Sequence, residues 1–280
     1  MADGLSTRAT AAVFDEAAAS YDSDFSDTTA GLWLRESVWS RLTPFIKPGM
    51  HVLDLGCGTG EDALWLAKNA CRVTAADGSP AMLERVAAKA ARLKLDQRLR
   101  TLRLDLNAPA DAEPPIGHPF DLVISNFGAI NCVEDLGALG GKLVRWVKPG
   151  GVLALVFMGR FCAWESAYYS ARFDARAARR WSGRARASVG SQSVHVRYWA
   201  MREALSALGP SFRPLAVLGV GTFLPPSYLF HWLERHPRSF RALAQCERST
   251  SHLWPLSRMG DHTLVIARRL DTISTGRSPR

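Results

Sequence analysis

Three glycines at alternate positions, Gly56, Gly58 and Gly60, follow directly on an apolar run from Met50 to Leu55 that carries a single acid, Asp54. A helix-forming stretch, Glu61 to Lys68, begins at the next residue, with Leu64, Leu66 and Ala67 among its apolar members. A strand that turns this abruptly into a helix leaves backbone N–H groups and the positive helix end free to face a ligand. Glycine in the turn lets backbone approach that ligand with no Cβ in the way. Such a site suits a nucleotide-like molecule lying across the carboxyl ends of parallel strands. Twenty-three residues beyond Asp54, Asp77 closes a second short β-type run, Val73 to Ala76. A carboxylate there can accept hydrogen bonds from both ribose hydroxyls of an adenosine.

Two ligand classes compete for this turn. A dinucleotide site requires G-x-G-x-x-G, so that a helix N-terminus meets a pyrophosphate. Here the spacing is G-x-G-x-G and the next residue is Glu61, whose charge repels a diphosphate. Glu61 and Asp62 in the first helical turn favour a ligand that lacks phosphates and carries positive charge, as S-adenosylmethionine does with its sulfonium and ammonium groups. The wording Asp54-Leu-Gly-Cys-Gly-Thr-Gly60 resembles the first motif of class I S-adenosylmethionine-dependent methyltransferases, and Ala76-Asp77-Gly78-Ser79-Pro80-Ala81-Met82-Leu83 is similar to the second. The resemblance implies an α/β, Rossmann-like class I methyltransferase fold, a seven-stranded mostly parallel sheet with helical cap insertions. It also implies a cofactor site that includes Asp54, Gly56, Cys57, Gly58 and Gly60, with Asp77 on the ribose and Gly78 and Met82 close to the adenosine.

The elements that must position these residues follow in register. Arg100 to Leu104 alternates polar and apolar residues as a third strand, and the resemblance places Asp105 at the adenine amino group with the Leu106 backbone beside it. Phe120 to Asn126 is an apolar run expected as a buried fourth strand, which brings Asn126 to the cleft and leaves Asp121 a structural part at its start. A helix over Leu136 to Trp146, a Lys148-Pro149-Gly150-Gly151 turn and a fifth strand over Val152 to Met158 complete the common core. Upstream, Phe14 to Asp22 resembles the leading helix of small-molecule methyltransferases, which implies that Tyr21 helps to close a lid over the methionine end of the cofactor. Arg35, in a helix expected over Leu32 to Leu42, is a candidate partner for the cofactor carboxylate.

These assignments divide the chain into an N-terminal helical lid (1–44), a cofactor-binding core (45–158), a basic aromatic cap insertion (159–200), and a segment (201–270) holding the last two core strands. Those strands are expected over Phe212 to Val220 and His262 to Arg268. A second insertion, 222–260, lies between them, and residues 271–280 are expected to form a flexible tail. The insertions carry Trp164, Tyr168, Trp181, Tyr228, Trp232 and Trp254 among their aromatics, suited to lining a pocket for a large apolar substrate or to packing within a cap. Between Gly159 and Arg197 eight arginines face two acids, two thirds of the formal net charge of +9. An arginine-rich run of this kind is a solvated face, or a contact for an anionic membrane surface or nucleic acid.

Composition bounds the remainder. With 280 residues, 47% hydrophobic and 22% charged, the chain is an ordinary globular protein rather than a disordered one. No apolar stretch reaches a membrane span, and Met1 to Thr10 lacks a secretory apolar core, so a cytoplasmic enzyme, peripheral to the membrane at most, is expected. Five scattered cysteines without a C-x-x-C pair argue against a disulfide framework and against a metal site. The fourth-strand wording Ser125-Asn126-Phe127-Gly128 lacks the prolines of base N-methyltransferases, which sets nucleic acid aside as acceptor. O-methylation needs a general base, and the candidates are Glu165 and Tyr168, three apart on one helix face, and His195, the one imidazole of the first insertion. Asn126 and Asn131 follow strand four as groups suited to orienting a polar substituent. The expected function is methyl transfer from S-adenosylmethionine to the oxygen, nitrogen or carbon of a small, apolar or lipid-like acceptor. A non-catalytic cofactor-binding regulator, a nucleic-acid methyltransferase and a nicotinamide-dependent reductase stand as alternatives.

Overall fold

The computed structural model describes residues 7–108 and 119–271. Residues 1–6, the tail from 272 onward, and the side chains of Tyr228 and Trp232 lie outside the described residues. Seven strands make one sheet: β1 (His51–Leu55), β2 (Arg72–Asp77), β3 (Leu99–Arg103), β4 (Phe120–Ser125), β5 (Val147–Phe157), β8 (Phe212–Val220) and β9 (His262–Arg269). A separate hairpin joins β6 (Arg184–Val189) to β7 (Gln192–Arg197). The sheet order is β3-β2-β1-β4-β5-β9-β8, parallel from β3 to β5, with β9 antiparallel to both of its neighbours. This is the seven-stranded, mostly parallel α/β sheet implied by the motifs.

The helices are α1 (Thr7–Ala17), α2 (Thr29–Leu42), α3 (Glu61–Lys68), α4 (Pro80–Arg92), α5 (Leu136–Trp146), α6 (Ala163–Ser170), α7 (Met201–Leu208), α8 (His231–Glu234) and α9 (Pro237–Thr250). Side chains alternate faces along each strand. Val52, Leu122, Ile124, Ala154, Leu264 and Ile266 therefore pack against α2, α3, α4 and α9, whereas Leu53, Val123, Leu153, Leu155, Val265 and Ala267 pack against α5 and α7. Both faces are covered, which is why the central strands are apolar throughout.

Local chemistry sets the element ends. Ser79 caps α4 by accepting from the Met82 N–H at 3.1 Å, with Pro80 in the first turn, and Asp135 caps α5 through the Ala138 N–H at 3.0 Å. Asp121 accepts from the His51 N–H at 2.8 Å and from Lys148 Nζ at 2.7 Å, clamping the starts of β1 and β4 to the turn before β5, a structural role as expected. That turn differs from expectation in one respect: β5 already pairs with β4 at Val147, and Lys148 to Gly151 form an irregularity before pairing resumes at Val152.

The first insertion holds α6, a short 3₁₀ turn over Ala175–Ala178 and the β6–β7 hairpin, which closes on Gly190 at φ 55°. Val194 and Val196 point inward and pack with Val13 of α1 and with Tyr198. In the second insertion, Glu247 of α9 accepts from the backbone N–H groups of Gly221, Thr222 and Phe223 at 2.8 to 3.2 Å, docking the helix on the loop after β8. Because β9 runs antiparallel, its amino end and the carboxyl ends of β1, β2, β4 and β5 share one edge of the sheet.

Candidate functional site

At that edge lies a cavity of about 390 Å³. One wall comes from the glycine turn and strand ends: Gly56, Gly58, Asp77, Gly78, Met82, Asp105 and Leu106. The opposite wall comes from α1 and the hairpin, with Phe14, Ala187, Val189, Val194 and Val196. Phe25, Phe127, Met158 and His262 close the end nearest β5 and β9.

Two glycines of the turn after β1, Gly56 and Gly58, line the cavity and do different work. A Cβ on Gly56 would sit 2.2 Å from that of Ala129, so the turn after β4 packs directly on this backbone. Gly58, at φ 52°, has only Tyr21 within reach, at 3.9 Å, and leaves its backbone open to the cavity beneath that ring. Gly60 does not line the cavity; a Cβ there would press on Val86 of α4 at 2.8 Å, so its smallness serves helix packing.

Asp77 is held by N–H donors from Gly58 and Ser79, both at 2.9 Å, and lines the cavity. Burial pushes its carboxyl up, and the backbone donors work against that rise. Asp105 accepts from the Asn107 N–H at 2.7 Å, which fixes its carboxylate at the cavity wall. The π-helical turn Asp22–Ser26 follows Tyr21. Asp22 accepts from Thr59 at 2.5 Å and pairs with Lys89 at 2.7 Å, which ties this turn down over the start of α3. Helix α1 is anchored by Asp15, which accepts from Ser79 Oγ at 2.5 Å and the Ala81 N–H at 3.0 Å.

Arg35 and Asp54 are buried and do not line the cavity. The Arg35 guanidinium lies against the rings of Phe25 and Phe127, at 5.1 and 5.6 Å, and both rings do line it. Its Nε and Nη1 have no hydrogen-bond partner, and neither has Asp54 Oδ2. Burial pushes the Asp54 carboxyl well above its ordinary range, and the charges of Asp62 and Asp77 push it further. A buried cation and a buried carboxyl with unused hydrogen-bonding atoms are what an amino-acid zwitterion would complete. With Asp77 and Asp105 at the wall for a ribose and an adenine, the residues present fit S-adenosylmethionine.

Several sequence expectations need correction. Glu61 does not face the ligand, because Lys89 holds it at 2.7 Å beside Asp22. Asp62 is bound by Trp39 Nε1 at 2.6 Å, by Asn126 Nδ2 at 3.1 Å and by Arg35 at 3.8 Å. Asn126 is thereby a buried structural tie, away from the cavity. Asn131 is another, bridging the Met158 backbone and the Arg197 carbonyl, so it pins the hairpin to the end of β5. Cys57 is buried outside the cavity lining, with its thiol pushed well up by burial and by Asp77.

None of the three expected catalytic residues reaches the cavity. His195 is exposed, because on β7 it alternates with the inward Val194 and Val196. Glu165 is buried between Arg179 at 2.7 Å and Arg180 at 2.9 Å, which outweigh burial and hold its carboxyl below the ordinary range. Tyr168 is covered by the Arg172 guanidinium, 3.6 Å from its ring centre. The arginine run is likewise mostly engaged within the molecule: Arg160 pairs with Glu203, Arg176 with Asp174, and Arg197 stacks on Trp199. Arg180 is buried, which removes it from any membrane contact.

His262 lines the cavity and was not singled out from sequence. Its signal was topological, since the first residue of a final antiparallel strand must lie at the ligand edge. Among the described residues no group of His, Cys, Asp and Glu is placed to hold a metal ion, and no helix is long and apolar enough to cross a membrane.

A methyltransferase-domain family matches residues 52–151. Over 130 residues the chain is 35% identical to a 23S rRNA (uracil(1939)-C(5))-methyltransferase of Pseudomonas fluorescens, a match covering 45% of this chain and 28% of that protein. Over 167 residues it is 34% identical to a 2-phytyl-1,4-naphtoquinone methyltransferase of Synechococcus elongatus, covering 56% of this chain and 66% of that one. The chain thus spans from 28% to 66% of the length of these two relatives. Among solved structures, a geranyl diphosphate C-methyltransferase from Streptomyces coelicolor shares the fold, with a TM-score of 0.53 over 84% of this chain and 78% of that one, at 16% identity.

Proposed function

We propose, from the premise that this chain belongs to the class I S-adenosylmethionine-dependent methyltransferase family, that it transfers the cofactor's methyl group to a small apolar acceptor held beneath α1 and the hairpin. The observation that carries this reading is the composition of the cavity described above. Its strand-end wall presents carboxylates and open backbone suited to an adenosine, and its opposite wall is almost wholly apolar.

The cofactor, when bound, supplies an electrophilic methyl on a positively charged sulfur. The protein's part is placement. Asp77 would hold the ribose, Asp105 the adenine edge, and Tyr21 would cover the turn at Gly58. Phe14, Val194 and Val196 would hold the acceptor in line and exclude water, so that proximity supplies much of the rate. A quinone-like ring bearing an apolar tail, of the kind named for the Synechococcus relative, matches such walls. By contrast, the ribosomal RNA methyltransferase is matched over only 28% of its length.

The test is calorimetry with S-adenosylhomocysteine, followed by its detection as product when the protein is given S-adenosylmethionine and reduced 1,4-naphthoquinones of increasing tail length. Binding heat, with turnover that rises with tail length, is expected. A protein that shows no heat overturns the cofactor assignment, and one that binds but prefers short polar acceptors overturns the apolar site.

A further inference from the structure

We propose that His262 is the general base of this enzyme and that Asp261 positions it, which makes the acceptor a hydroxyl-bearing aromatic. This rests on the methyl-transfer reading above and names the acceptor's reacting group. His262 is the one imidazole among the described residues that lines the cavity, where its ring meets Phe127 edge-on at 5.4 Å. Its Nδ1 lies 3.3 Å from Asp261 Oδ2. That distance makes an ion-pair contact, but the ring N–H is not aligned for a hydrogen bond, an arrangement common in catalytic pairs before substrate closes the site.

Behind the pair stands a closed chain of charge. Asp261 Oδ1 accepts from Arg180 Nη2 at 2.5 Å, and Arg180 Nη1 donates to the Asp261 carbonyl at 2.9 Å. Arg180 is in turn fixed by Glu165 Oε2, at 3.1 Å from Nε and 2.9 Å from Nη2. Burial alone would raise the Asp261 carboxyl, yet the contacts with its neighbours His262 and Arg180 hold it below the ordinary range, so it stays an anion. An anion fixed beside Nδ1 sets the tautomer with the proton on Nδ1 and leaves Nε2 to accept one.

Three of the other proton acceptors along the cavity, Tyr21, Cys132 and Asp77, are poorly suited to the task. The Tyr21 hydroxyl is pushed up by burial, and the Cys132 thiol is pushed to about 11, so neither is ionised near neutrality. Asp77 is occupied by two backbone donors.

The chemistry balances without a further reactant. The acceptor hydroxyl gives its proton to His262 Nε2 as its oxygen forms the new O–CH₃ bond. The S–CH₃ bond breaks and leaves its electron pair on sulfur, giving a neutral thioether. The imidazolium then returns the proton to water. A phenol fits because its acidity lies within reach of an imidazole, whereas an aliphatic alcohol is far too weak an acid.

The experiment uses the full chain loaded with S-adenosylhomocysteine and 4-nitrophenol as probe, whose neutral and ionised forms absorb at different wavelengths. In wild type the bound probe is expected to show about a tenfold higher ionised-to-neutral ratio than free probe at the same pH, one unit of apparent acidity. In His262→Gln that excess is expected to vanish while S-adenosylhomocysteine affinity, measured by calorimetry, is unchanged. Imidazole nitrogen NMR on wild type, with the His262 signal assigned by its loss in the variant, should show the proton on Nδ1. Excess ionisation that persists in His262→Gln, a probe bound in its neutral form by wild type, or a proton on Nε2 overturns the base. A loaded protein that takes up no probe overturns the phenolic acceptor. A protein that takes up no S-adenosylhomocysteine overturns instead the reading on which this rests.

Discussion

Two buried charge clusters flank the cavity and are built on opposite principles. On the α2 side, Arg35 and Asp54 keep hydrogen-bonding atoms without partners, and Asp54, Asp62 and Asp77 sit close enough for their charges to raise the Asp54 carboxyl. On the β9 side, Glu165, Arg180 and Asp261 form a continuous chain in which each carboxylate meets a guanidinium within 3 Å. An unsatisfied buried polar atom costs about 1–3 kcal/mol, which a ligand supplying the missing partner would repay. On the proposed function, the open cluster is where the bound ligand would complete the structure. The closed one holds a side chain, His262, in place.

The comparison breaks most visibly if the closed cluster is opened. Arg180→Ala leaves Glu165 and Asp261 buried without their shared cation, and a loss of about 3–5 kcal/mol in unfolding free energy is expected from chemical denaturation. A loss under 1 kcal/mol would mean that the chain of ion pairs holds nothing. Next in size, Asp77→Ala should abolish ligand stabilisation: at one hundred times the dissociation constant, S-adenosylhomocysteine adds about 2.7 kcal/mol to wild type, read as a shift in Tm, and none to the variant. Arg35→Met sharpens the contrast, because a cation with unused donors contributes to binding more than to folding. A ten- to hundredfold weaker S-adenosylhomocysteine affinity, about 1.5–3 kcal/mol, is expected in calorimetry with a much smaller change in stability.

Acid acts on the two clusters in opposite senses. Asp261 and Glu165 have carboxyls held below their ordinary range in the fold, so their stabilisation is present above the unfolded values and is lost as pH falls through the folded ones. Asp54 is raised, so its contribution is present below the ordinary value of 3.8 and is lost as pH rises through the raised one. A bound ammonium favours the Asp54 anion and pulls its carboxyl back down. Uptake of S-adenosylhomocysteine between 3.8 and the raised value should therefore release protons. Calorimetry in two buffers of different ionisation enthalpy reads that release directly, and equal heats in both would place the ammonium elsewhere.

The two sides also differed in how much the amino-acid order revealed. On the cofactor side the signals are local. The glycine turn, the capping Ser79-Pro80 and the apolar runs lie within a few residues of what they position, and helix Glu61–Lys68 and strand Phe212–Val220 have the bounds their patterns imply. On the acceptor side the information is long-range. Nothing near Arg180 says that it will meet Asp261, 81 positions on, so the arginines presented themselves as a solvated or membrane-facing run. Glu165 and Tyr168 did share a helix, but the helix is turned into its own arginines. The hairpin was legible in principle, since Val194 and Val196 alternate with polar neighbours. Its arginine content masked that period-two pattern, and with it the reason that His195 points outward.

That outward direction gives the smallest and most specific test of the comparison. His195 pairs across the hairpin with Arg186, and both are exposed on the face opposite the Val194 and Val196 that line the cavity. Removal of an exposed side chain far from any cap, ion pair or strained backbone changes stability by less than about 0.5 kcal/mol. His195→Ala should accordingly leave Tm, S-adenosylhomocysteine affinity and turnover within error of wild type. Val194→Ala, one residue away, should loosen the apolar wall and raise KM for an apolar acceptor while cofactor affinity is unchanged. The two substitutions are neighbours in sequence and differ only in which face of β7 they touch. If His195→Ala proves the more damaging, the hairpin is turned over in solution and both its register and the cavity wall built on it are wrong.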